Sequence, residues 1–268
     1  MATARRFASW MTDNKPGYSL KRSWINTIKT KRLSNLPKTK EAVSLDEILA
    51  MAAAPAETTF ERRIRAAAVF LFLSGARISA LISLPIQAVD IQNRQVKQFP
   101  SLGVRTKNSK SETTYLLDIP ELLKVVKEWD DEVRIALPPS GFWFAPLSPD
   151  TGEIDLKCST IGVHRETLAR RNLKTWLDKV GLPYHSPHKF RHGHIHYGLE
   201  RAKDIADYKA ISTNVMHSNM EITDQFYSNQ NGSEVQSRIS ALGAIQSKDM
   251  NNQNLDSLIE LLQTLKTR

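Results

Sequence analysis

Apolar positions recur along most of this chain at the three- and four-residue spacing of helices, and one stretch near the middle switches to period two. Ser44-Leu-Asp-Glu47 has capping-box spacing, which predicts a helix from Leu45 to about Ala53. A second helix is expected over Thr59 to Ser74. Its later part, Ala66 to Leu73, is apolar all round and belongs at the centre of a core. Gly75 should close it, and a short helix from Ile78 to Leu84 should end before Pro85. The period-two region predicts three strands, Gln95 to Phe99, Gly103 to Lys107 and Thr113 to Ile119, with Asn108 to Glu112 as a polar hairpin loop between the last two. Helices then resume at Pro120 to Ile135, Val163 to Val180 and Pro187 to Leu199, with Pro187 in a first turn. Shorter ones are expected at Lys203 to Ile211, Glu221 to Tyr227 and Glu234 to Leu242. After a polar linker, Gln246 to Asn254, the residues Leu255, Leu258, Ile259, Leu262 and Leu265 share one helical face. The expected fold class is mainly α (α+β), with a small antiparallel β-sheet.

Composition narrows the setting. The 268 residues are 41% hydrophobic and 24% charged, as expected of one or two folded domains with a sizeable core. The longest apolar run is far too short to span a bilayer, and the N-terminus has no apolar signal core, so a cytoplasmic location and no membrane partner are expected. The single cysteine, Cys158, excludes an internal disulfide and a Cys-based zinc site. The net charge of +9 is concentrated: residues 1–40 hold ten Lys or Arg and one acid, Asp13, while the other residues carry 27 of each sign. Such an arm favours a polyanion, with nucleic acid preferred over an anionic membrane surface. Pro37 to Lys40 reads as a linker.

Four separated segments carry polar residues that the helix pattern does not demand. Ser74-Gly-Ala-Arg-Ile-Ser-Ala-Leu81 sets Arg77 just after a glycine break between apolar helices, where a cation is costly unless it faces a cleft or partner. The hairpin carries Lys107 and Lys110. His188-Lys-Phe-Arg-His192 puts His188 and Arg191 on one helix face. The fourth runs from Val215-Met-His217 to Phe226-Tyr227. His188, His192, His196 and Glu200 are also each four apart, the spacing of a metal stripe. However, His-Glu-x-x-His is missing and Arg191 would crowd a metal, so a polar helix face is the preferred reading.

In order and spacing this set resembles the tyrosine recombinases, the phage-integrase family. Ser74 to Leu81 nearly reproduces Thr-Gly-Leu-Arg-Ile-Ser-Glu-Leu, His188 to His192 matches His-x-x-Arg-His, and His217-Ser218 followed by Tyr227 matches the last motif, with Met216 in place of the usual glycine. The resemblance implies a helical tyrosine-recombinase catalytic domain at 41–243, preceded by a basic arm and linker at 1–40 and followed by a linker and amphipathic helix at 244–268. It implies a site-specific recombinase that cuts and rejoins double-stranded DNA through a 3′-phosphotyrosine. Tyr227 would be the nucleophile, and Arg77 and Arg191 would hold the non-bridging oxygens. His188 and His217 would assist, and Lys107 would protonate the leaving 5′-oxygen. Lys107 is preferred to Lys110 because it is expected to end a strand. No cofactor, metal or ATP is expected. The expected partners are DNA, three further copies in a homotetramer, and accessory DNA-bending proteins. Elementary chemistry agrees: two planar guanidiniums suit a phosphodiester transition state, and a phenol with a pKa of about 10 needs a base or cationic field to attack. A hairpin lysine is a movable acid.

Family members usually precede the catalytic domain with a helical core-binding domain that completes a clamp. Only about 40 residues precede it here, with 18–33 able to supply one helix, so DNA gripping rather than chemistry is expected to differ. The alternatives are a type IB topoisomerase-like enzyme, or a DNA-binding regulator without activity.

Overall fold

The computed structural model describes residues 2–15, 17, 20–27, 41–158, 160, 162–216 and 232–244. The chain divides into two units, Met1–Lys40 and Glu41–Arg268. In the first, α1 (Ala2–Asn14) and α2 (Arg22–Thr27) pack on each other and bury Ala8 and Ile25. Phe7, Trp10 and Trp24 are exposed. Arg22 reaches Asp13 at 3.2 Å, an exposed pair of small energetic weight. The one helix expected at 18–33 is thus a short α2, and the longer α1 lies where the sequence reading saw only charge.

In the second unit, α3 (Leu45–Ala53) starts at the expected box. The Glu47 N–H donates to Ser44 Oγ at 3.2 Å, and the Ser44 N–H donates to Glu47 Oε2 at 2.8 Å. A second box, Thr58 with Glu61, starts α4 (Thr59–Ser74). Every residue from Ala66 to Ser74 is buried, because α4 is packed by α3, α6, α7 and α8 together. Here α6 is Pro120–Ala136, α7 is Arg165–Lys179 and α8 is Pro187–Leu199. α5 is a single turn, Ile78–Leu81. α9 (Ile205–Asn214) and α10 (Gly232–Ala244) pack on each other and on the sheet.

The sheet is small and antiparallel, as expected, with two strands where the sequence places them and one correction. Its antiparallel order is β1 (Val89–Asp90), β2 (Gln95–Gln98), β3 (Glu112–Tyr115), with Val96 opposite Thr114 and Gln95 opposite Tyr115. Gly103 to Lys107 is not a strand. Pro100 opens a tight turn that Gly103 closes at φ +83°, and the Val104 N–H bonds back to the Phe99 carbonyl. A second turn follows at Lys107–Ser109, with Asn108 and Ser109 at positive φ. Period-two polarity here therefore marks two successive turns, which local backbone chemistry rather than alternation dictates.

The expected helix at Glu221 to Tyr227 and the C-terminal apolar stripe lie outside the described residues. No helix among the described residues is long and apolar enough to cross a membrane.

Candidate active site

Arg77 owes its place to Gly75. The α4 helix ends there at φ +60°, a conformation that costs glycine nothing. A Cβ at this position would also lie 2.8 Å from His194 Cδ2 and from Val215 Cγ1. The chain then turns sharply, and Arg77 caps α5 with extended backbone. It lines a cleft of about 220 Å³ together with Ser79, Glu166, Arg170, His188 and Arg191. Burial lowers its pKa.

Arg191 is only 3% exposed. Its Nη1 donates to the Gly75 carbonyl at 2.6 Å, and its Nη2 donates to the Val215 carbonyl. These carbonyls close the C-terminal ends of α4 and α9, where helix dipoles favour a cation. Burial first, and the charge of Arg77 second, lower its pKa to about 9, which leaves it charged at neutral pH. His188 sits one turn earlier on α8 and is exposed. Its ring meets that of His192 edge-on, with centroids 4.3 Å apart. α8 itself begins as expected, with Pro187 in its first turn. The helix therefore carries one arginine into the interior and one histidine to the mouth.

The sequence reading passed over His194, which is the fully buried histidine of this helix at 1% exposure. Its Nδ1 lies 2.9 Å from the Phe72 carbonyl, and its Nε2 lies 3.3 Å from Asn214 Nδ2. Nδ1 must carry the proton to bond a carbonyl, which leaves Nε2 to accept from the amide. Burial holds the pKa down to about 4, from an ordinary value of 6.5. The folded state thus resists a proton that the unfolded chain accepts. Stability is intact above about pH 6.5 and falls as pH drops toward 4, by on the order of 3 kcal/mol over that window. Urea unfolding at pH 7, 6 and 5 should show wild type losing stability more steeply than His194→Gln. Parallel losses would assign the acid sensitivity to other groups.

The other expected residues fall as follows. Lys107 and Lys110 are both exposed, on either side of one turn in the β2–β3 connection. The ground for preferring Lys107, that it ends a strand, is removed. Glu166 and Arg170 form an i,i+4 ion pair on α7 that the sequence reading missed, although its spacing was visible. Arg165 anchors that helix beside the cleft by donating from Nε to the Ile82 carbonyl at 3.1 Å and from Nη2 to the Phe144 carbonyl. His217 and Tyr227 lie outside the described residues. Met216, just before His217, has φ +53°, a left-handed conformation that accounts for the usual glycine in this motif. Tyr197 packs in the core against Phe72, as a structural tyrosine would. Along the polar face of α8, His196 Nδ1 pairs with Glu200 Oε1 at 3.0 Å. Among the described residues, no group of three or more His, Cys, Asp or Glu side chains is arranged to hold a metal.

A model of the phage integrase family matches residues 41–234. Comparison with curated proteins finds no match. Among solved structures, the integrase from mycobacterium phage Brujita aligns with a TM-score of 0.51 at 15% identity, over 95% of this chain and 74% of that one. XerA recombinase aligns with a TM-score of 0.47 at 20% identity, over 87% of this chain and 80% of its own. At such identities the likeness to the Brujita integrase is one of fold.

Proposed function

The chain belongs to the phage integrase family, and from that premise we propose that it is a site-specific DNA recombinase working through a 3′-phosphotyrosine. The observation that carries this reading is the convergence of Arg77 and Arg191, with His188, on one cleft. The two guanidiniums repel, as the lowering of the Arg191 pKa by Arg77 registers. An anion seated between them relieves that repulsion, and a phosphodiester transition state does so best as charge gathers on its non-bridging oxygens.

In this reading the Tyr227 oxygen attacks phosphorus as its phenol gives up a proton, with His188 and His217 assisting. A phosphorus–oxygen bond to tyrosine forms while the bond to the 5′-oxygen breaks. A hairpin lysine, Lys107 as expected from the sequence or Lys110 across the same turn, supplies the proton that the 5′-oxygen takes up. A 5′-hydroxyl from a second duplex reverses these steps and releases Tyr227. Bond energy is conserved, so the cycle consumes no ATP and calls on no metal. Residues 41–243 form the catalytic domain, residues 1–40 add sequence-independent phosphate contacts, and 244–268 form a linker and helix that join copies in a homotetramer on DNA, with accessory DNA-bending proteins assisting. The site of action is the host cytoplasm.

The test starts from DNA recovered by covalent trapping and sequenced. Two marked copies of that sequence on one plasmid should yield deletion or inversion products with the purified protein. Relaxation of supercoils without exchange would favour the topoisomerase-like reading, and binding without cleavage the regulator.

A further inference from the structure

Asn214 ends α9 at 1% exposure, and three hydrogen-bonding groups meet its amide. Its Oδ1 accepts the Tyr115 N–H at 2.6 Å, and its Nδ2 donates to the Tyr115 carbonyl at 2.9 Å. The same Nδ2 faces His194 Nε2. Tyr115 closes β3, an edge strand whose other side pairs with β2. The amide therefore takes the place of a further strand's peptide group and satisfies both polar groups of an edge residue. Its orientation is fixed from two sides. With Nδ1 of His194 turned to the Phe72 carbonyl, Nε2 offers a lone pair, and only the NH2 end of Asn214 can meet it.

Of the two elements joined here, one bears the hairpin lysines and the other leads to the cleft. Going backward from Tyr115, β3 runs into the turn that bears Lys110 and Lys107. Going forward from Asn214, the next residue is Val215, whose carbonyl holds Arg191, and His217 follows two residues later. The sheet has a second anchor in Gln236 Nε2, which donates to the Asn93 carbonyl at 2.8 Å, so loss of the Asn214 link should leave it folded.

We propose that Asn214 is a positioning residue for DNA cleavage: its amide fixes the β2–β3 hairpin, and so the lysine that protonates the leaving 5′-oxygen, to the arginine-lined cleft. This rests on the recombinase reading above. Asn214→Asp keeps the shape and the acceptor but loses the donor to Tyr115 and His194. Asn214→Leu keeps the approximate volume and loses both, and is the second variant should a buried carboxylate unfold the chain.

The readout is single-turnover formation of the covalent adduct on two nicked duplexes, one with an ordinary 5′-bridging oxygen at the scissile phosphate and one with sulfur there. A thiolate leaves without a proton, so the sulfur substrate does not need the lysine. On the oxygen substrate the variants should cleave about tenfold to a hundredfold slower than wild type, the cost of a misplaced catalytic group. DNA affinity should stay within about twofold, because the phosphate contacts that dominate it are untouched. On the sulfur substrate their rates should return to within about threefold of wild type. Wild-type rates on the oxygen substrate, or an equal deficit on both substrates, would overturn the proposal. Failure of both variants to fold would also overturn it, by assigning Asn214 to the fold. Absence of any adduct with wild-type protein on either substrate would instead sink the recombinase reading.

Discussion

Arg191→Lys is expected to abolish most DNA cleavage and to weaken the fold at the same time. The guanidinium spans two helix ends, with one nitrogen on the Gly75 carbonyl and another on that of Val215. An ammonium on a flexible stem keeps the charge but loses the planar fork that reaches both. One helix C-terminus is then left with a buried unsatisfied carbonyl, at a cost of about 1–3 kcal/mol. Loss of a preorganised donor to the transition state should slow cleavage by about a hundredfold to a thousandfold. Urea unfolding and single-turnover trapping on a nicked duplex measure the two effects. Normal stability with lost cleavage would show that the lysine still bridges both carbonyls.

Arg77→Lys is expected to separate those effects. Arg77 caps a single helical turn at the mouth of the cleft, and burial is the cause of its lowered pKa. Among the described residues, no hydrogen bond or ion pair holds its guanidinium. Cleavage should fall by about a hundredfold or more, since this donor too is lost to the transition state. Unfolding free energy should change by less than about 0.5 kcal/mol, as at a site away from core packing. Cleavage within a few fold of wild type would show that Arg77 serves structure rather than chemistry. Taken together, the two substitutions distinguish an arginine that builds the cleft from one that only lines it.

The contrast between these arginines marks what was legible in the sequence. Helix ends with a local chemical cause were read correctly. Ser44 and Glu47 announce α3, Gly75 closes α4, and Pro187 opens α8. Arg77, His188 and Arg191 were legible as a set because their spacing put them at helix breaks and on one helix face. The sheet was legible only in part: β2 and β3 fall where strands were expected, but β1 is two residues long and the stretch before Lys107 alternates in polarity while turning. Nor was the His194–Asn214 contact. Those residues are twenty apart on different helices, and periodicity says which way a side chain faces but not what it meets there. The residues at four-residue spacing lie on a partly exposed polar face of α8, as read, while His194, off that spacing, enters the interior. The departure at Met216 became intelligible only from its backbone, which takes the left-handed conformation in spite of the side chain.

The central claim is covalent attack by Tyr227, and trapping on a nicked suicide duplex tests it most directly. Run on a denaturing gel in the presence of EDTA, wild-type protein should give an adduct joined to the 3′-end of the cut strand. Tyr227→Phe should bind the same duplex with nearly the same affinity and give none. An adduct that persists in Tyr227→Phe, or one that EDTA abolishes in wild type, would contradict the account.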